Sequence, residues 1–335
     1  MNGRGWVLAV VGAASQIGRE VQAAALERGL PVREWRLYDT TEEGADLVRE
    51  DLPAPLLPGE PVDLDGVDVV FLCGPAAASA AAVERSRAAR AIVIDVIQSL
   101  AEDEAAFIVP EVNGDTIAEA LDRAVFACPL PGATALSVVL HPLHAVAELR
   151  RVVVTALEPV SHAGPQAIEQ LARETRELLT GTSPGPGILP YRVAFNLSPQ
   201  VGDVGPDGWT THELGIESQL RRVLDLPDLR LSVTAVCVPT FYGQAYTVSI
   251  KMARPLSAND AAQLLRRAPG VLLVETDSLP TVADASGSEA TQVARLREDP
   301  SSAHALSMWV VIDGLRTGGA VNAVQIAERV LHERG

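Results

Sequence analysis

The 335-residue chain is long enough for about two domains and for a full apolar core without covalent staples. Its 27 basic against 43 acidic residues, a net charge of −16, argue against nucleic acid and anionic membrane surfaces as partners. Cys73, Cys128 and Cys237 are too few and too irregularly spaced for a disulfide framework or a zinc ribbon, so a reducing, cytoplasmic setting is expected.

Trp6–Val11 is a continuous apolar run, as suits a strand buried on both faces. Arg4 followed by Trp6–Ala14 faintly resembles a signal peptide, but the run ends in a glycine motif rather than a cleavage site. That motif spans Gly12 to Gly18, and Arg19–Arg28 then reads as a helix stopped by Gly29. Trp35–Tyr38, Val67–Cys73 and Ala91–Asp95 read as further strands. Gly74-Pro75 opens an alanine-rich helix over Ala76–Ala89. The alternation predicts a parallel, doubly wound α/β sheet. The longest uncharged run, Ala124 to Leu140, holds Pro129, Pro131 and Gly132 and makes a poor membrane span.

The second half has a different texture. Arg150–Leu157, Leu229–Val238 and Ala245–Met252 read as strands of an antiparallel or mixed sheet. Gln166–Leu179, Ala258–Arg267 and Gly318–Leu331 read as helices, and Thr180–Pro190 is a Gly/Pro/Ser/Thr loop. These segments predict an α+β domain with one open sheet face, a face suited to a dimer interface.

The glycine loop sits between a strand and a helix, the context in which such a loop holds a dinucleotide. Gly12 would form the tight turn and Gly18 would let the helix pack closely. The amides heading the helix, those of Gln16 and Ile17 among them, would hold a pyrophosphate. Ser15 stands where a third glycine is usual; it either crowds the phosphates or donates its hydroxyl to one. Asp39, 21 residues after Gly18, suits a grip on a ribose 2′-hydroxyl. With Glu42 and Glu43 next to it, it favours NAD over NADP. The alternative is a ligand-free strand–helix turn in which Asp39 opens a second turn.

Several segments together carry a specific resemblance: Val10-Val-Gly-Ala13, Ile94-Asp95, Ile108–Asn113, Pro142-Leu-His144 and Pro159-Val-Ser161, then Tyr191–Asn196, Tyr242-Gly243, Trp309–Asp313 and Asn322–Ala327. In this order, and over essentially the whole chain, they resemble the aspartate-semialdehyde dehydrogenase family. The resemblance implies a dinucleotide-binding domain over residues 1–130, completed by a C-terminal helix over 318–335. It implies an α+β dimerisation and catalytic domain over 131–317, and a homodimer formed through it. It also implies a nucleophilic cysteine, a histidine acting as general base and acid, and hydride transfer to a nicotinamide.

Residue by residue, that chemistry has no carriers in this chain. The nucleophile's position falls at Pro131. Glu158 stands for a glutamine, Cys237 for the carboxylate-binding arginine, and Gln244 for the base histidine. Gln219 stands for a substrate-binding glutamate and Gly215 for a lysine, and Val96–Glu102, just after Asp95, holds no basic residue to grip phosphate. The chain is therefore expected to be a degenerate, non-catalytic member, a pseudoenzyme that binds NAD or a protein partner, an active paralogue included. The alternative is an NAD(P)-dependent oxidoreductase acting on an aldehyde or acyl phosphate, or a new activity built on Glu158, Cys237 or His162. Asn322 matches a position near the nicotinamide, and packing in the last helix accounts for it equally well. Cys73 and Cys128 read as buried thiols. His162 reads as pocket filler, His141 and His144 as helix-end residues, and His212, His304 and His332 as surface residues. No metal site is expected, and no acid or thiol pairs with His141 or His144 at ligand spacing.

Overall fold

The computed structural model describes residues 5–39, 52–58, 62–101, 103–121, 124–275 and 279–334. Glu42 and Glu43, expected to weigh against a 2′-phosphate, lie outside the described residues. The chain divides into two compact units, residues 1–134 with 315–335, and residues 135–314.

The first unit is built from β1 (Trp6–Val11), α1 (Gln16–Glu27), β2 (Val32–Asp39), β3 (Leu56–Pro58), β4 (Val69–Leu72), α2 (Ala76–Ala89) and β5 (Ile92–Asp95). There follow β6 (Ala106–Phe107), the short turns α3 (Pro110–Asn113) and α4 (Ile117–Ala120), and β7 (Val125–Ala127). All seven strands run parallel, in the order β3-β2-β1-β4-β5-β7-β6. The order reverses between β1 and β4, which places the ligand crevice of such a sheet at the C-terminal ends of those two strands. Leu8, Val10, Val69, Phe71, Ile92 and Ile94 are buried, as strands covered on both faces require. A π-helical turn, Arg316–Ala320, leads into the last helix. Val321, Val324, Ile326 and Ala327 of that helix join this core. The helix expected over Gly318–Leu331 thus opens as a π turn and becomes α-helical only at Val321.

α5 (Pro131–Ala147) contains the boundary between the units. The second unit continues with β8 (Leu149–Pro159), α6 (Pro165–Leu179), α7 (Thr211–Leu224), β9 (Arg230–Val238) and β10 (Gln244–Met252). It ends with α8 (Ala258–Leu265), β11 (Val271–Leu273), β12 (Thr291–Glu298) and β13 (Ala305–Ile312). These strands form a mixed sheet in the order β11-β12-β13-β10-β8-β9. Along β8 and β9 buried residues alternate with more accessible ones, so one face is packed and the other stays open.

β9 is an edge strand, and its outward amides need acceptors. α7 supplies two of them. Glu217 accepts from the Val233 amide at 3.0 Å, and Glu213 from the Ala235 amide at 2.8 Å. Ser198 continues the row by exchanging two backbone hydrogen bonds with Cys237. Thr210 and Glu213 also form a capping box that sets the start of α7.

Glu174 on α6 ties down the chain that precedes this edge. Its Oε2 accepts from the amides of Val193 at 2.7 Å and Ala194 at 2.9 Å, and its Oε1 accepts from Gln170 at 2.8 Å. Burial alone would raise its carboxyl pKa. The Ala194 amide, Gln170 and the Val193 amide outweigh that and hold it below its ordinary 4.5. A folded carboxyl below its unfolded value stabilises at higher pH, and that stabilisation is lost as pH falls through the folded value. Glu174→Ala is expected to destabilise by about 1–3 kcal/mol for each stranded amide. Urea melts of Glu174→Gln should show a flatter loss of stability below pH 4.5 than those of the unaltered protein.

Candidate functional sites: a glycine loop and a buried glutamate–histidine cluster

In the first unit, Gly12 follows β1 with φ at +86°, a left-handed conformation open to glycine. A Cβ there would lie 2.6 Å from the Gly74 nitrogen and 2.7 Å from the Cys73 carbonyl, so the loop rests directly on the end of β4. A Cβ on Gly18 would lie 2.3 Å from the Gly12 oxygen, which explains the second glycine by close helix packing. Gln22 braces the loop from behind, donating to the carbonyls of Ala13 at 3.0 Å and Gly18 at 2.9 Å.

Ser15 has a structural task in the loop. It is the N-cap of α1, which starts at Gln16 rather than Arg19. Its hydroxyl accepts from the Gly18 amide at 3.0 Å and donates to the Gly12 carbonyl at 2.7 Å. The Ser15 amide is bound to the Gly12 carbonyl. Of the amides at the head of the helix, those of Gln16 and Ile17 remain without an acceptor in the helix. The loop thus offers two amides at a helix N-terminus, above the sheet's reversal point, and fits a phosphate there. Asp39 ends β2 and is buried.

Asn322, at the start of the last helix (α9, Val321–Arg334), donates to the Ile108 carbonyl at 2.9 Å and lies against the Cys128 thiol. Cys128 is buried, its thiol near the Gly319 carbonyl, and burial pushes its pKa up to about 12. Cys73 is raised well above the ordinary thiol value by burial, then by Cys128 and Asp95. Neither presents a thiolate at neutral pH. Pro131 is the first residue of α5, and its backbone touches Gly318, where a Cβ would lie 2.3 Å from the Pro131 Cα.

In the second unit, Glu158 lies on the packed face of β8 and is fully buried. Cys237 is its register partner on β9. Gln244, at the start of β10, donates from Nε2 to Glu158 Oε2 at 2.6 Å. His212 Nε2 is 3.2 Å from Glu158 Oε1. The Tyr246 hydroxyl also lies near this carboxylate. Burial by itself would raise the Glu158 pKa; the hydrogen bond and charge of His212, then the charge of His162, outweigh it and keep the carboxyl low.

His212 is thus not a surface residue. It is 6% exposed, because the capping box aims the first turn of α7 inward over β8. Nor does His162 fill an interior space. It sits in the one-turn helix Val160–Ala163, keeps an exposed edge, and meets His212 edge-on with ring centroids 4.3 Å apart. Burial, then His212, lowers its pKa to about 4. Glu158, His162 and His212 each place one ligand-type atom within 4.8 Å of the others, a cluster that sequence spacing did not disclose. Cys237 is buried, and burial followed by the Glu158 charge raises its thiol pKa.

His144, in the last turn of α5, accepts the Leu149 amide on Nδ1 at 3.2 Å. Gln219 is buried on α7. His141, His304 and His332 are exposed. No helix among the described residues is long and apolar enough to cross a membrane.

Two family models match the chain. Residues 7–120 match the NAD binding domain of semialdehyde dehydrogenase, and residues 140–317 match its dimerisation domain. A USG-1 protein homolog of Azotobacter vinelandii is 31% identical over 328 residues, covering 97% of this chain and 98% of the relative. An aspartate-semialdehyde dehydrogenase of Streptomyces akiyoshiensis is 32% identical over 342 residues, covering 97% and 98%. The crystal structure of aspartate semialdehyde dehydrogenase II from Vibrio cholerae superposes with a TM-score of 0.93 at 29% identity, covering 98% of this chain and 99% of that one.

Proposed function

This chain belongs to the semialdehyde dehydrogenase family, and we propose that within it the chain is a non-catalytic, dinucleotide-binding member that acts as a dimer. The observation that carries the reading is Pro131 at the head of α5, where the resemblance places the nucleophile. Proline offers no side-chain nucleophile and no amide hydrogen. Gln244, in the base position, cannot titrate, and its Nε2 is engaged by Glu158. The remaining thiols are held protonated by burial.

The Gln16 and Ile17 amides would face the dinucleotide's phosphates, with Gly12 and Gly18 allowing the close approach. Asp39 would accept from a ribose 2′-hydroxyl and repel a 2′-phosphate, so NAD is the preferred ligand. The open sheet face and the exposed Phe195, Leu197, Phe241 and Tyr242 of the second unit support pairing there, with a second copy or an active paralogue. The free cysteines are in keeping with a reducing cytoplasm.

Calorimetry with each nucleotide tests the binding half of the reading. Saturable NAD binding, with NADP weaker by about tenfold or more, is the expected result; that ratio corresponds to about 1.4 kcal/mol. Binding of neither would reject it and direct attention to protein partners.

A further inference from the structure

We propose that Glu158, His162 and His212 bind one divalent transition-metal ion of the zinc class. The three residues come from β8, the turn after it and the start of α7, and the fold brings their ligand atoms within 4.8 Å of one another. Two imidazole nitrogens and one carboxylate oxygen are the donor set that selects zinc and its neighbours over magnesium or calcium. Ligands about 2.1 Å from a tetrahedral zinc stand about 3.4 Å apart. Glu158 Oε1 and His212 Nε2 are already 3.2 Å apart, and His162 has only to close on them.

The surroundings of the cluster are those of a metal centre. Gln244 holds Glu158 Oε2, which leaves Oε1 directed at the histidines, and such outer partners orient metal-ligating carboxylates. Glu158 and His212 are buried on regular elements, while His162 is at the surface and opens a path for the ion. Gly164, at φ +91°, ends the one-turn helix that carries His162 and separates it from α6. Three protein ligands leave a fourth position for water or a small anion. The rival arrangement is a metal-free Glu158–His212 ion pair against which His162 merely packs.

All three residues lie in the second unit, and the test needs no nucleotide. The test uses the untagged full-length protein, freed of metal with EDTA and titrated with zinc sulfate by calorimetry. One ion per chain should bind and raise the melting temperature, an effect that EDTA reverses. Cobalt in place of zinc should give the visible bands of a four-coordinate ion. His162→Ala, at an exposed position, should retain the far-UV circular dichroism of the unaltered protein, lose those bands and weaken zinc binding by about 100-fold or more, at least what losing an outer partner does. His304→Ala and His332→Ala should change nothing. Absence of saturable one-to-one binding, or undiminished affinity in His162→Ala, would overturn the proposal. If His162→Ala does not fold, Glu158→Gln, of equal size, decides in the same way.

Discussion

Incubated with aspartate semialdehyde, inorganic phosphate and either NAD or NADP, the purified protein is expected to produce no reduced nicotinamide above background. Covalent catalysis at a carbonyl needs a nucleophile and a proton-transfer group acting as a unit, and loss of either removes most of the rate. The expected deficit against an active relative is on the order of 10⁶-fold. The physical cause is local. Pro131 closes the head of α5, and neither Cys128, with its pKa pushed to about 12, nor the buried Cys237 supplies a thiolate. Pro131→Cys alone should stay at background, because Gln244 offers no titratable nitrogen and the chain has Cys237 where the resemblance places the carboxylate-binding arginine. Turnover by the unaltered protein, abolished by Cys237→Ala or Cys128→Ala, would instead place it among NAD(P)-dependent oxidoreductases with a rebuilt site.

Gly12→Ala is expected to destabilise the first unit by about 3 kcal/mol and to abolish nucleotide binding with it. Two effects add. A side chain at φ +86° is strained by about 1–2 kcal/mol. The new Cβ would also stand 2.6 Å from the Gly74 nitrogen and 2.7 Å from the Cys73 carbonyl, backbone atoms that no rotamer change can move aside. Overpacking of that kind costs about 1–3 kcal/mol. Relief requires β1 and β4 to part or the loop to lift, and lifting moves the Gln16 and Ile17 amides off the phosphate position. Chemical denaturation together with NAD calorimetry measures both effects. A variant as stable as the parent would remove the packing account of Gly12. A variant that is destabilised yet binds NAD unchanged would remove the loop from the binding site.

Much of the first unit is written locally. Trp6–Val11 is apolar at every position, as suits an interior strand, and the pause at Gly12 ends it. Ala76–Ala89 has both its proline start and its composition in the sequence. The short strands β3, β6 and β7 have two or three residues each, too few to show a period, and the sheet's own hydrogen bonds define them. At Ser15 the sequence leaves two roles open, crowding a phosphate or donating to one, and the structure adds helix capping to them. Whether a hydroxyl caps a helix or faces a ligand depends on a rotamer, and here the Gly18 amide and Gly12 carbonyl hold it inward.

The sequence by itself determined the two-part α/β and α+β architecture and, through the segments that carry the resemblance, the family. Those follow from periodicity, glycine placement and residue identity, which are properties of short stretches. Only the tertiary structure decided that Glu158, Gln244, His162 and His212 meet. They lie on different elements, and His212 stands 54 residues from Glu158, so no spacing rule joins them. A histidine two residues after a capping threonine looks solvated until the register of β8 against β9 and β10, and the seating of α7 along the β9 edge, set where its ring points. Burial then changes the chemistry: a carboxylate and two imidazoles that water would keep apart are held together because the strand, the turn and the helix are each fixed by hydrogen bonds of their own.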